Sequence, residues 1–99
     1  MILERALFAV KPGTEQDFEA AMEQAKEVLA QSEGFHSFKL RRGIEQPSTY
    51  LLLIEWGSVE DHMQGFRESD LFVRWRELIG SYFAAPPEVE HYEAPVVTK

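Results

Sequence analysis

The sequence predicts an α+β protein with a ferredoxin-like split βαβ arrangement and an antiparallel sheet. Three observations support this. The chain has 99 residues, which is the length of one domain, spanning 1–99 with a polar tail at 94–99. Its periodic segments follow the order strand, helix, strand, strand, helix pair, strand. Right-handed crossovers then place the first and third strands in the middle of the sheet.

The first half of the chain predicts a strand, a long helix and a second strand. Leu3 to Val10 is rich in apolar residues and ends at Lys11-Pro12-Gly13, which indicates a strand followed by a turn. Thr14 precedes Asp17 by three residues, similar to a capping box. An apolar helical stripe follows, formed by Phe18, Ala21, Met22, Ala25 and Leu29. Gly34 is predicted to end this helix as a left-handed cap.

The second half predicts two strands, a helix pair and a short last strand. The second strand is predicted over Phe35 to Arg42, and the third and strongest over Tyr50 to Trp56. Ser58 begins a helical pattern whose apolar stripe consists of Val59, His62, Met63 and Phe66. A second stripe consists of Leu71, Phe72, Trp75, Leu78 and Ile79. Pro86-Pro87 ends the helical region, and the last strand is predicted over Val89 to Glu93.

The third strand predicts a homodimer. Its run Leu51 to Ile54 is continuously apolar, which is typical of a strand that is covered on both faces. The helices of this arrangement cover only one face of the sheet. We therefore expect a second copy to pack on the open sheet face about a two-fold axis.

Composition excludes several classes of partner and chemistry. The net charge is −7 and no basic patch stands out, so we expect no nucleic-acid partner. No apolar run reaches the roughly 18–20 residues of a membrane span, and no signal-peptide pattern is present, so we expect a cytoplasmic protein. Cysteine is absent, which excludes disulfides and thiolate metal sites.

The histidines do not predict a metal site. None of the three is paired with another at three- or four-residue spacing. His36 lies on the second strand and His91 on the last, which are opposite edges of the predicted sheet. Glycine-rich phosphate motifs are also absent. We therefore expect neither a metal nor an organic cofactor.

His62 is the main candidate for catalysis. It lies on the apolar face of its helix, where a polar ring either bonds a buried partner or lines a cavity. One interpretation is a satisfied core histidine. The other is a general base in a pocket between sheet and helices, because burial lowers a histidine pKa and keeps the ring neutral.

Aromatic residues are the candidates for binding a planar ligand. Trp56, Phe66, Phe72 and Trp75 could form the walls of such a pocket, or they could be ordinary core. Tyr92 could offer its hydroxyl to a substrate oxygen.

Three charged residues complete the expectations. Glu4 and Arg5 lie on a central strand, where a charge needs a partner or a cavity, and we expect a salt bridge across the dimer. Arg76 is expected on a solvated helix face.

Four segments resemble the antibiotic biosynthesis monooxygenase family of dimeric α+β barrels. They are Tyr50 to Trp56, Ser58 to His62, Phe66 to Phe72 and Pro86 to Tyr92, and Pro12-Gly13 and Gly34-Phe35 also match. The resemblance covers nearly the whole chain. It implies that the ferredoxin-like domain pairs into a dimeric barrel.

The resemblance also implies a choice of functions. The haem-degrading branch of the family has an axial histidine four residues after the position of Phe72, where this chain has Arg76, so we reject haem degradation. The favoured function is cofactor-independent oxidation by dioxygen of an electron-rich aromatic such as a quinol, an anthrone or a polyketide-like compound. The alternative is a non-catalytic dimeric module that binds a small molecule or serves as a stress accessory protein.

Overall fold

The computed structural model describes all 99 residues and shows a four-stranded antiparallel sheet with two helices on one face. The strands are β1 (Ile2–Ala9), β2 (Phe35–Arg42), β3 (Thr49–Trp56) and β4 (Glu88–Tyr92). The helices are α1 (Glu15–Leu29) and α2 (Asp70–Ile79). The strand order is β2-β3-β1-β4. The predicted α+β class and the central position of β1 and β3 are thus confirmed.

The core lies between the sheet and the helices. Alternate residues of the central strands point into it, because successive side chains of a strand face opposite sides of the sheet. On β1 these residues are Ala6 and Phe8, and on β3 they are Tyr50, Leu52, Ile54 and Trp56. The other face of the sheet presents the intervening residues Leu3, Leu7, Leu51 and Leu53, which are only half-buried.

The second helical region is irregular where the sequence predicts an ordinary helix. The chain forms a π-helical stretch at Asp61–Phe66 before α2 begins. Ser58 Oγ accepts a hydrogen bond from the Asp61 N–H at 3.1 Å, as a helix start there requires. The N–H of Arg67 reaches back five residues to the carbonyl of His62, at 2.9 Å. The wide turn buries both His62 and Phe66, and such stretches occur frequently at functional sites.

Two local predictions about α1 are wrong. Thr14 makes no capping bond to the helix, because its hydroxyl donates to the Lys11 carbonyl at 2.7 Å. The helix ends at Leu29 rather than at Gly34. It ends early because the amides of Gln31 and Ser32 bond carbonyls only three residues back, which tightens the last turn.

Gly34 lies in the turn that leads into β2. Its φ is +86°, in the left-handed region that favours glycine. A Cβ at this position would meet Asp61 Oδ2 at 2.2 Å. The turn therefore packs directly against the start of the π-helical stretch. No helix of the chain combines the length and hydropathy that a membrane span requires.

We predict that Gly34→Ala destabilises the protein more than Gly13→Ala does. Both glycines have positive φ, which costs an alanine roughly 1–2 kcal/mol, but nothing lies within 4 Å of a Cβ at Gly13. Urea unfolding measures the two free energies. Asp61→Ala in the Gly34→Ala background should recover only part of this difference, because the Cβ of residue 61 itself lies 2.7 Å from a Cβ at position 34. Equal losses in the two single variants would show that the contact between the turn and Asp61 is not tight.

Candidate functional site

A cavity of about 420 Å³ lies between the helix-facing side of the sheet and the second helical region. Ten of the sixteen residues that line it are hydrophobic. β1 and β3 form its floor, and the π-helical stretch and α2 form one wall. The segment that leads into β4 closes another side with Phe83, Pro86 and Pro87. The size and the apolar lining are those of a small-molecule site.

The floor of the cavity carries one carboxyl group. Glu4 lies on β1 in phase with Ala6 and Phe8, so its side chain points to the helix face and is only 5% exposed. The Trp56 indole N–H donates a hydrogen bond to Glu4 Oε1 at 2.9 Å. Trp56 itself is completely buried at the end of β3. The tryptophan thus holds the carboxyl in place from beneath the cavity.

Two histidines extend from this carboxyl in a row. Nε2 of His62 lies 3.3 Å from Glu4 Oε1, and its Nδ1 lies 2.8 Å from Nε2 of His91. The sheet register places His91 directly opposite Glu4. The Trp56 ring stacks on His62 with 5.3 Å between centroids, which sets the plane of the imidazole. The three groups form a line from the cavity floor to the edge strand, rather than converging on one point as metal ligands do.

Burial shifts the pKa values of Glu4 and His62 in opposite directions. Desolvation raises the pKa of Glu4 to about 7, against the hydrogen bond from Trp56 and the charge of Arg67. Desolvation lowers the pKa of His62 to about 4, assisted by the charges of His91 and Arg67. Both shifts disfavour a buried ion pair. Near neutral pH, His62 is therefore an uncharged ring beside a carboxyl group that is close to its own pKa.

The structure brings four of the six predicted site residues together at the cavity. His62, Phe66, Phe72 and Trp75 all line it. Trp56 lies beneath and acts through Glu4 and His62 instead of forming a wall.

Tyr92 lies elsewhere. The register pairs it with Leu3, on the opposite face of the sheet from Glu4 and His91. Its hydroxyl donates to Glu90 at 3.1 Å, and its side chain is half-exposed. Alternation along β4 therefore keeps Tyr92 out of the cavity that His91 faces.

The expectation for Glu4 and Arg5 is corrected by the structure. Arg5 forms a salt bridge with Glu90 of the neighbouring strand in the same chain, while Glu4 points into the cavity. The two residues are adjacent in a strand and so face opposite sides of the sheet. The alternation of side chains along β1 could have distinguished them in the sequence, because Glu4 lies on the same face as the apolar Ala6 and Phe8.

Arg76 is exposed on α2, as expected, and it also reaches the cavity. Its guanidinium lies over the rings of Phe72 and Phe83, at 5.9 and 5.8 Å, and the residue lines the cavity. Arg67 lines it too and lies 5.3 Å from the Phe72 ring. Both arginines are exposed, so they mark the side on which the cavity opens to solvent.

Comparison with known proteins agrees with this architecture. The chain is 37% identical over 93 residues to the uncharacterized protein YczJ of Bacillus subtilis, which covers 94% of this chain and 98% of that one. A solved structure from Bordetella bronchiseptica, named for the antibiotic biosynthesis monooxygenases, superposes with a TM-score of 0.93 at 42% identity. That match covers 96% of this chain and 97% of the other.

A more distant structure shares the fold alone. SnoaB, a cofactor-independent oxygenase from Streptomyces nogalater, superposes with a TM-score of 0.81 at 16% identity, covering 97% of this chain and 94% of SnoaB. The family model for antibiotic biosynthesis monooxygenases matches residues 1–78, from β1 into the last turn of α2. That match spans the sheet centre, the π-helical stretch and most of the cavity wall. The chain therefore belongs to the antibiotic biosynthesis monooxygenase family.

Proposed function

We propose that the protein is a cofactor-independent monooxygenase that oxidises an electron-rich aromatic, such as a quinol, an anthrone or a polyketide-like compound, with dioxygen. The observation that carries the proposal is the Glu4–His62 pair on the floor of an aromatic-lined cavity. A buried carboxyl group beside a neutral imidazole is an arrangement suited to accepting a proton near neutral pH. Family membership and the fold shared with SnoaB support the same reaction class.

The pair removes a proton from the substrate. Glu4 takes the hydroxyl proton, and His62 Nε2, which lies 3.3 Å from Glu4 Oε1, donates the hydrogen bond that holds the carboxylate beside the substrate. Glu4 is the better final acceptor because its pKa of about 7 lies well above the value of about 4 for His62. The negative charge moves from Glu4 to the substrate, so the buried site gains no net charge.

The substrate anion itself reduces dioxygen. It transfers an electron to O₂, and the resulting radicals combine to form a carbon–oxygen bond. The bound peroxide takes the proton back from the Glu4–His62 pair. The outer peroxide oxygen then leaves as water with the hydrogen of that carbon, which breaks the oxygen–oxygen bond and leaves a carbonyl group there. One oxygen atom of O₂ enters the product, and the other leaves as water.

The walls hold the planar substrate and exclude water. Phe66, Phe72 and Trp75 supply ring faces and edges against which an aromatic ligand can pack. Phe66 and Trp75 are already arranged edge to face, with centroids 6.1 Å apart. A dry cavity strengthens the electrostatic interactions that stabilise the phenolate.

The proposal includes a homodimer. Leu3, Leu7, Leu51 and Leu53 form a half-buried apolar patch on the face of the sheet that no helix covers. A second copy packed on this patch would remove it from water and complete an α+β barrel. The cavity lies on the other side of the sheet, so it stays open in such a dimer.

We predict that His62→Ala and Glu4→Gln each lower oxygen uptake at least tenfold. Either change interrupts proton transfer, and a tenfold loss corresponds to about 1.4 kcal/mol of barrier. Glu4→Gln keeps an oxygen for the Trp56 N–H but cannot take up a proton. The assay is oxygen consumption by the metal-free protein with a panel of quinols and anthrones.

His36→Ala is the control, because His36 is exposed on the far edge strand and should leave oxygen uptake unchanged. Unchanged uptake in both site variants would refute the role of the pair. Absence of uptake with every substrate would favour a non-catalytic binding module.

We also predict that the two site groups affect stability with opposite dependence on pH. The raised pKa of Glu4 stabilises the fold at low pH, and this contribution is lost as pH rises from 4.5 to about 7. The lowered pKa of His62 stabilises the fold at high pH, and this contribution is lost as pH falls from 6.5 to about 4. In the wild type the two contributions largely cancel between pH 4.5 and 6.5.

Single variants should reveal each contribution in urea unfolding across this pH range. Relative to wild type, Glu4→Gln becomes more stable as pH rises and His62→Phe becomes less stable. Each slope is at most about 1.4 kcal/mol per pH unit. The double variant should follow the wild-type profile. Parallel profiles for wild type and both single variants would contradict the two pKa shifts.

A further inference from the structure

Two arginines at the opening of the cavity have no carboxylate partner. The ion pairs of the chain join Arg5 to Glu90, Lys26 to Glu23, Arg42 to Glu19 and His62 to Glu4. Arg67 and Arg76 belong to none of them, although the chain has 17 acidic residues against 10 basic ones. Neither guanidinium is engaged in a salt bridge, so both are available to bind an anion at the cavity opening.

Aromatic stacking holds both side chains in place. The guanidinium groups of Arg67 and Arg76 lie 5.3 and 5.9 Å from the centroid of the same ring, Phe72. Arg76 also lies 5.8 Å from the Phe83 ring. A guanidinium held against aromatic rings keeps N–H donors free at its edge, and it loses little further entropy when it binds an anion. That geometry favours recognition of a planar oxyanion by paired hydrogen bonds.

The floor of the cavity disfavours an anion. Glu4 lies on the floor, and a negatively charged ligand group beside it would be repelled. A ligand with one charged end is therefore oriented, with its charge at the arginines and its uncharged aromatic edge at Glu4 and His62.

We propose that the ligand of this cavity is an aromatic compound that carries an anionic substituent, with a carboxylate as the simplest case. The proposal rests on the proposed function in taking this cavity as the substrate site. Arg67 and Arg76 bind the substituent at the opening, and Phe66, Phe72 and Trp75 pack on the rings. This orientation presents the far edge of the aromatic to the Glu4–His62 pair, so the arginines determine which position of the substrate is deprotonated.

The test is a binding experiment with a matched pair of compounds that cannot be oxidised by the site. Naphthoate and its neutral isostere naphthamide have the same ring and nearly the same shape. Isothermal titration calorimetry gives both Kd values at low and at high salt. We expect naphthoate to bind at least ten times more tightly than naphthamide at low salt, and this preference to shrink as salt screens the arginines.

Variants that each remove one arginine charge identify which residues cause the preference for naphthoate. Arg67→Gln and Arg76→Gln should each reduce the preference at least threefold, while naphthamide affinity stays nearly unchanged. Arg74→Gln is the control, because Arg74 is exposed on α2, does not line the cavity and removes the same charge. It should retain the full preference.

Three results would overturn the proposal. The first is equal affinity for naphthoate and naphthamide. The second is a naphthoate preference that survives both cavity variants, or that falls equally in Arg74→Gln. The third is no binding of either compound up to about 1 mM. The experiment needs no turnover, so it separates this proposal from the proposed function. A naphthoate preference without oxygen uptake from any substrate would retain the anion site and reject the monooxygenase. Oxygen uptake without a naphthoate preference would retain the monooxygenase and reject the anion site.

Discussion

The hydrogen bond from the Trp56 indole to Glu4 is the interaction on which the site depends. A carboxyl group in the helix-facing layer of a central strand is costly unless its oxygens are satisfied. Trp56 bonds Oε1 at 2.9 Å and is itself completely buried, so the acid stays on the cavity floor. The same indole stacks on His62. One side chain of β3 therefore positions both members of the proton-accepting pair.

The irregular backbone serves the same arrangement. The π-helical stretch turns His62 and Phe66 toward the core together, and it lies against the turn at Gly34. On the other side, β4 places His91 beside His62 because its register pairs His91 with Glu4. The imidazole of His62 is thus held between an indole, a carboxyl group and a second imidazole. A ring held in this way needs little reorganisation when a proton moves, which is the condition for efficient electrostatic catalysis.

Periodicity in the sequence predicted the sheet order and the burial of His62 and Phe66, since these follow from which side of an element is apolar. It was wrong for Val59 and Met63, which are exposed because the π-helical stretch does not keep the period of an ordinary helix. It failed where a hydrogen bond or a single charge decided the outcome. The early end of α1 follows from three-residue backbone bonds at Gln31 and Ser32 that no side-chain pattern reveals. A charged Glu4 on a central strand predicts an ion pair or a cavity, and the structure shows a cavity in which burial favours the uncharged acid. The hydroxyl of Tyr92 suggests a substrate contact, but the alternation of side chains along β4 places Tyr92 on the opposite face of the sheet from His91.

Carbon-13 NMR of the Glu4 side-chain carboxyl, followed through a pH titration with Glu4→Gln as the assignment control, tests the protonation of the site. We expect a pKa for Glu4 of about 7, with the His62 ring uncharged down to about pH 5, since its own pKa is about 4. A Glu4 pKa near 4.5, together with a His62 ring that is charged at pH 7, would show that the two residues form an ion pair. That result would contradict the neutral pair and the proton transfer built on it.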